Sequence, residues 1–125
     1  MIKSKISILI VDDNINFVGR LLSLLNDVES IGLIHLARDY EEACELLDRN
    51  PDIVLLDIQL PGKNGINLLR GIKEMTDTCK VVMLTNHTSE HYRQQCTKLG
   101  AAHFLDKTSD FELVPGVVRE LALQN

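Results

Sequence analysis

The sequence predicts a doubly wound α/β fold, a single five-stranded parallel sheet with five helices on its two faces. Three observations lead there. Short apolar runs alternate along the chain with stretches whose apolar residues recur every three or four positions. The central runs, such as Ile53-Val54-Leu55-Leu56, are apolar throughout, as strands covered on both faces must be. Most runs end on polar or turn residues able to open a helix.

Each element follows from its own residues. Ile6–Val11 is the first strand, closed by Asp12-Asp13-Asn14, and Phe17, Leu21, Leu24, Leu25 and Val28 mark the inner face of the first helix. Leu33–Ala37 is the second strand. Asp39, with Glu42 three residues on, forms a capping-box pair for a second helix that turns Ala43, Leu46 and Leu47 inward. Pro51-Asp52 ends that unit before the third strand, Ile53–Leu56. The loop Leu60-Pro61-Gly62-Lys63-Asn64-Gly65, marked by its turn residues, then leads into a third helix with Leu68, Leu69, Ile72 and Met75 inward. Val81–Leu84 is the fourth strand. Thr88 or Ser89 caps a fourth helix bearing Tyr92, Cys96 and Leu99, and Gly100 is placed to end it. Ala102–Leu105 is the fifth strand. Ser109 with Glu112 reads as a second capping box, opening a helix with Val114, Val117, Val118 and Leu121 inward; Pro115 predicts a kink or a late start there. Right-handed crossovers leave few arrangements. The common strand order is 2-1-3-4-5, with its binding crevice at the carboxyl ends of strands 1 and 3.

Composition bounds the function. The chain has 125 residues, enough for one domain with a real core, with 45% hydrophobic and 25% charged residues. No apolar run approaches the roughly 20 residues that span a bilayer. The N-terminal run stops at Asp12, too early for a secretory signal, so the expectation is a cytoplasmic protein without membrane insertion. The net charge of −5 argues against direct nucleic-acid binding by this domain. Cys44, Cys79 and Cys96 are odd in number and lack metal-ligand spacing, so buried reduced thiols are expected. His35, His91 and His103 are scattered and read as surface or packing residues.

The chemistry collects at one sheet edge. Asp12 and Asp13 follow the first strand, Asp57 the third, Thr85 the fourth and Lys107 the fifth, all at strand carboxyl ends. Taken singly, each has an ordinary explanation as turn residue, helix cap or solvated lysine. Together they place three mutually repelling carboxylates, a hydroxyl and an ammonium at one point. Such a cluster calls for a cation. Oxygen-only ligands suit Mg²⁺, Lys107 can pair with a carboxylate or phosphate, and Asp57 can act as a nucleophile toward phosphorus. Three other classes share parts of this pattern. An aspartate-nucleophile phosphatase typically carries Asp-x-Asp, whereas Gln59 stands two after Asp57. A flavin-binding electron carrier needs a Ser/Thr/Gly-rich phosphate loop where this chain has Asp-Asp-Asn. A degenerate interaction module would not need the full acidic and lysine set.

Val11-Asp12-Asp13-Asn14, Leu55-Leu56-Asp57-Ile58-Gln59-Leu60-Pro61-Gly62 with Gly65, Met83-Leu84-Thr85 and Phe104-Leu105-Asp106-Lys107 occur in order at matching spacing. By these motifs the chain resembles the receiver domain of two-component response regulators over residues 1–125. The resemblance implies a flavodoxin-like fold and a phosphorylation-activated switch rather than a turnover enzyme. It implies Asp57 as phosphoacceptor, with self-catalysed phosphorylation and autodephosphorylation. It implies Mg²⁺ held by Asp12, Asp57 and the backbone carbonyl of Gln59, with Asp13 acting through water. Thr85 and Lys107 would contact the phosphoryl group, and Phe104 would be the aromatic switch whose ring turns inward. Gln59, Asn86 and His87 occupy positions that tune dephosphorylation, and Asn86 is bulkier than the small residue usual there. Thr108 stands where a proline is common, and a trans bond is expected before it. The implied partners are a sensor histidine kinase or histidine phosphotransfer protein and, downstream, a protein target or an absent output domain, with a phosphorylation-dependent homodimer possible.

Overall fold

The computed structural model describes residues 5–124. Five strands form one parallel sheet in the order β2-β1-β3-β4-β5: β1 Ile6–Val11, β2 Ile31–Ala37, β3 Ile53–Leu56, β4 Lys80–Thr85 and β5 His103–Asp106. The helices are α1 Ile15–Leu25, α2 Tyr40–Leu46, α3 Gly65–Met75, α4 Glu90–Lys98 and α5 Val114–Ala122. Both the predicted class and the predicted strand order hold.

Because strand side chains alternate between faces, each inner strand feeds two cores. Ile8, Ile10, Leu55, Val82 and Leu84 pack beneath α1 and α5, against Phe17, Leu21, Leu25, Val114 and Val118. Leu9, Val11, Leu56, Val81 and Met83 face α2, α3 and α4, against Ala43, Ile66, Leu69, Ile72 and Cys96. Each buried Val, Leu, Ile, Phe or Met side chain among them contributes about 1.5–3 kcal/mol.

The helix starts follow cap chemistry. The side chains of Asn14, Asp39, Asn64 and Ser89 accept from the backbone N–H groups of Phe17, Glu42, Asn67 and Tyr92 at 2.8–3.2 Å. Ser89, not Thr88, therefore caps α4. The return half of the box at Asp39 reaches one residue further than expected: Glu42 Oε1 accepts from the Arg38 N–H at 2.8 Å.

Several expectations need correction. Ser109 does not cap the last helix. Asp106 Oδ1 accepts from the N–H groups of Thr108 and Ser109, a local turn that takes up the backbone a capping box would use. The chain then runs through a 3₁₀ turn at Phe111–Leu113, and α5 begins late, with Pro115 in its first turn where no N–H is needed. Met75 is 67% exposed rather than inward, and Cys44 is exposed, unlike Cys79 and Cys96. Val28 is buried but lies beyond the end of α1. The bond before Thr108 is trans, as expected, and no cis peptide occurs among the described residues.

Candidate functional site

The sheet ladder continues one residue past three of its strands, and those extra residues belong to the site. Asp12 N–H donates to Ala37 O at 3.0 Å, Asp57 N–H to Val11 O at 3.1 Å, and Lys107 N–H to Thr85 O at 3.0 Å. Each functional side chain is thus carried by backbone already fixed in the sheet. The next residues turn away into loops, leaving the side chains at the crevice that the topology creates.

Burial separates these residues from all other polar ones. Among the described residues, the buried polar or charged side chains are Asp12, Asp57, Thr85 and Lys107, and all four meet here. Charged groups are rarely buried without partners, because desolvation disfavours the charged form. Lys107 Nζ lies 2.7 Å from Asp12 Oδ2 and 2.9 Å from Asp57 Oδ2, joining the two acids through one ammonium. The ammonium also sits 4.5 Å from the centre of the Phe17 ring. Asp12 Oδ1 accepts from the Asn14 N–H at 2.9 Å, and Asp57 Oδ1 lies 3.4 Å from the Gln59 nitrogen.

Burial pushes the Asp12 carboxyl above its ordinary pKa, and the hydrogen bonds from Lys107 and Asn14 offset only part of that push. For Lys107, burial pulls down, but the hydrogen bonds to Asp12 and Asp57 outweigh it and the ammonium is held above its ordinary range. Asp13 is exposed, yet it can point an oxygen into the cluster. Oxygens of Asp12, Asp13 and Asp57 come within 4.8 Å of one another. Hard carboxylate oxygens so close, with open solvent on one side, fit a hydrated Mg²⁺.

Thr85 is fully buried, and its Oγ1 accepts from the His87 N–H at 3.0 Å. His87 Nε2 lies 2.5 Å from Gln59 Oε1, tying the loop after β3 to the loop after β4. His87 also meets Tyr92 edge-on, with ring centres 6.4 Å apart. Asn86 is exposed. Phe104 already lies inward, at 8% exposure, under the guanidinium of Arg93 at 4.8 Å from its ring centre. Arg93 Nη1 also donates to Phe104 O at 3.2 Å.

The structure brings Asp12, Asp13, Asp57, Thr85 and Lys107 to this edge and Gln59, Asn86 and His87 to the loops beside it, while Phe104 lies within β5 and packs in the core. Two others that shape the edge were not picked for that role. The helical spacing of Phe17 marks it as core, and nothing local in the sequence shows that Lys107 reaches it. Gly65 was read as a turn residue, but its role is steric. A Cβ there would stand 1.9 Å from Asp57 O and 2.9 Å from Asp57 C, and Gly65 N–H donates to Ile58 O at 2.6 Å. Only glycine lets α3 start this close behind Asp57.

A doubly wound sheet with an acid cluster and a buried lysine at its carboxyl edge defines a class of phosphoryl- and metal-handling sites. Comparison with known proteins narrows it. The sequence model of the response regulator receiver domain matches residues 8–119, and the chain belongs to that family. Transcriptional regulatory protein CpxR of Escherichia coli (strain K12) is 41% identical over 108 residues, covering 86% of this chain and 45% of that protein. Transcriptional regulatory protein DesR of Bacillus subtilis (strain 168) is 32% identical over 118 residues, 93% of this chain and 58% of that protein. The chain spans about half the length of these curated relatives. The solved signal receiver domain of a DNA binding response regulator protein (merR) from Colwellia psychrerythraea 34H superposes with a TM-score of 0.88 at 26% identity, covering 95% of this chain and 99% of that one. Phosphorylation-activated switching in two-component systems, where receiver domains interact with histidine kinases, is the general function of the family.

Proposed function

We propose that Asp57 accepts a phosphoryl group from a sensor histidine kinase or a histidine phosphotransfer protein, and that the modified pocket then resets the surface around α4, β5 and α5. The observation that carries this is the buried Lys107 ammonium held between Asp12 and Asp57 at the sheet's carboxyl edge. Asp57 Oδ2 forms its bond to phosphorus as the bond from phosphorus to the donor's ring nitrogen breaks, and the leaving imidazole takes up a proton from solvent. Lys107 faces the oxygens that gain charge in that step. Asp12, Asp57 and the Gln59 carbonyl would hold Mg²⁺, with Asp13 acting through water. The ion would supply charge neutralisation on the phosphoryl oxygens.

Thr85 Oγ1 is at present an acceptor, so its own proton remains available to donate to a phosphoryl oxygen. A shift of Thr85 toward the phosphate would change the space at the end of β4, beside β5, where Phe104 packs beneath Arg93. Such a change biases two packings of one surface. The Gln59–His87 bridge and Asn86 lie in the loops after β3 and β4 and would tune autodephosphorylation. In this reading the domain works in the cytoplasm and passes its signal to an output domain or a separate protein, with a phosphorylation-dependent homodimer as one form of the output.

The test is Asp57→Asn, exposed with wild type to a small phosphodonor and Mg²⁺ and resolved on a phosphate-affinity gel. Wild type shifts and the variant does not; equal phosphorylation of both sinks the assignment. Size measurement with and without beryllofluoride and Mg²⁺ checks the dimer.

A further inference from the structure

Lys107 has a third neighbour besides its two carboxylates. Its ammonium bears three N–H donors and no acceptor. Asp12 Oδ2 lies 2.7 Å from Nζ and Asp57 Oδ2 2.9 Å. The Phe17 ring centre lies 4.5 Å away, inside the roughly 6 Å over which a ring attracts a cation. Both side chains are buried, and that attraction is strongest where water is excluded.

Phe17 is itself backed by a second ring. It meets Phe111 edge-on, with centres 5.7 Å apart and planes at 65°. The Arg20 guanidinium covers Phe111 at 4.7 Å from its ring centre. Phe17 and Arg20 stand three residues apart on α1 and so share a face. A column of two rings, with a cation at each end, runs from the buried lysine to the exposed arginine.

The turn after β5 supplies both groups that meet Phe17 in this column. Asp106 Oδ1 accepts from the Thr108 N–H at 2.7 Å and the Ser109 N–H at 3.1 Å. Asp106 N–H donates to Asp110 Oδ2 at 2.9 Å, and Asp110 N–H donates to Asp106 O at 3.0 Å. The bond from Thr108 needs a backbone N–H, which a proline at that position would lack. This turn holds Lys107 and Phe111 at a fixed spacing, both against Phe17.

We propose that Phe17, backed by Phe111, is a positioning residue for phosphoryl acceptance: its ring holds the Lys107 ammonium between Asp12 and Asp57. The proposal rests on the reading of Asp57 as phosphoacceptor. In that reaction Lys107 must release a carboxylate oxygen and take a phosphoryl oxygen close by. A ring face attracts the cation without a carboxylate's strength, so it confines the ammonium yet leaves that exchange open. Leucine at position 17 would be equally apolar but would leave the ammonium against a surface with no partial charge to meet it.

The test places phenylalanines with one, two and three ring fluorines at position 17. Fluorine draws electron density from the ring face and changes its size little. In ¹⁵N-labelled protein, exchange of the Lys107 NH₃⁺ protons with water is expected to quicken with each fluorine. With a small phosphodonor and Mg²⁺, phosphorylation of Asp57 is expected to slow in the same order. The trifluoro protein and Phe17→Leu should be about tenfold slower than wild type, the scale of a lost buried cation–π contact. Phe111→Leu should be about threefold slower. Leu25→Ala separates positioning from stability. Leu25 is buried at the far end of the same helix, so this variant should lose Tm yet accept at the wild-type rate, at a temperature where every protein is folded. The proposal fails if NH₃⁺ exchange is indifferent to fluorine, if acceptance is, or if Leu25→Ala slows acceptance as much as Phe17→Leu. A wild type that takes up no phosphoryl group overturns the Asp57 reading, and the exchange series alone then decides whether the ring holds Lys107.

Discussion

Helix α3 holds two glycines whose replacement by alanine should act in opposite directions. Gly65 is its first residue and Gly71 lies in its interior. At Gly65 an added Cβ would fall 1.9 Å from Asp57 O, where real contacts are essentially never below 3.0 Å, so the backbone must move by about 1 Å. The obstacle is main chain, and no rotamer change relieves it. The shift also strains the 2.6 Å hydrogen bond from Gly65 N–H to Ile58 O. Overpacking costs about 1–3 kcal/mol, and a damaged buried hydrogen bond adds about 1 kcal/mol, so Gly65→Ala should lose about 2–4 kcal/mol. At Gly71 a Cβ meets nothing within 4 Å, and alanine should gain about 0.8–1 kcal/mol from helix propensity alone. Urea denaturation followed by circular dichroism reads both. With a slope of about 1–3 kcal/mol/M, the Gly65 variant's midpoint falls by about 1 M or more while the Gly71 variant's rises by a few tenths. A Gly65→Ala midpoint within error of wild type would refute the claim that α3 is seated against the Asp57 backbone.

Other consequences follow from burial. Cys44 is exposed, whereas burial pushes the Cys79 and Cys96 thiols up to about 11, so one thiol should react quickly with Ellman's reagent in the folded protein and two more only in denaturant. Burial raises the folded-state pKa of Asp12 above 3.8, so the native state holds the extra proton between 3.8 and the raised value. Asp12 therefore costs stability above that window, and the cost disappears as pH falls toward 3.8. With chelator present, Asp12→Asn should raise the urea midpoint at pH 7 and lose that advantage near pH 4; a pH-independent difference would contradict the assigned cause.

The fold was legible because its strongest signals are local. A strand covered on both faces must be apolar throughout, and β1, β3 and β4 are buried along nearly their whole length. The caps at Asn14, Asp39 and Asn64 act within three residues of themselves. The misread start of the last helix was a contest between two local signals, and the turn made by Asp106 won over the Ser109–Glu112 pair. The exposure of Cys44 follows from helix geometry. Ala43 faces inward, and Cys44 lies about 100° further round the helix, toward solvent. In the site, the strand ends gave the positions of Asp12, Asp57, Thr85 and Lys107, but not the contacts that join elements distant in sequence. The Gln59–His87 bridge spans 28 residues, and the Lys107–Asp57 bond spans 50.

The charge of the pocket explains why these residues must be held so firmly. Three carboxylates against one ammonium leave it two charges negative. In water, unlike-charged and like-charged side chains could move apart or rotate away. Here Asp12, Asp57 and Lys107 cannot retreat, because their backbones are fixed in the sheet ladder and their side chains are buried. The arrangement therefore retains an unrelieved demand for positive charge. Lys107 shows that demand: its hydrogen bonds to Asp12 and Asp57 hold the ammonium above its ordinary range despite burial, while the rise at Asp12 comes mainly from burial. A divalent cation would bring the pocket near neutrality. With Asp57 as the proposed phosphoacceptor, conversion of its carboxylate to an acyl phosphate would add about one further negative charge at neutral pH. Thr85, buried and still holding a proton to give, is the neighbouring group able to answer that new charge by moving. Under the proposed function, a rigid acidic pocket with one such group beside it would convert a local change of charge into a displacement, passed first to the packing of Phe104 beneath Arg93.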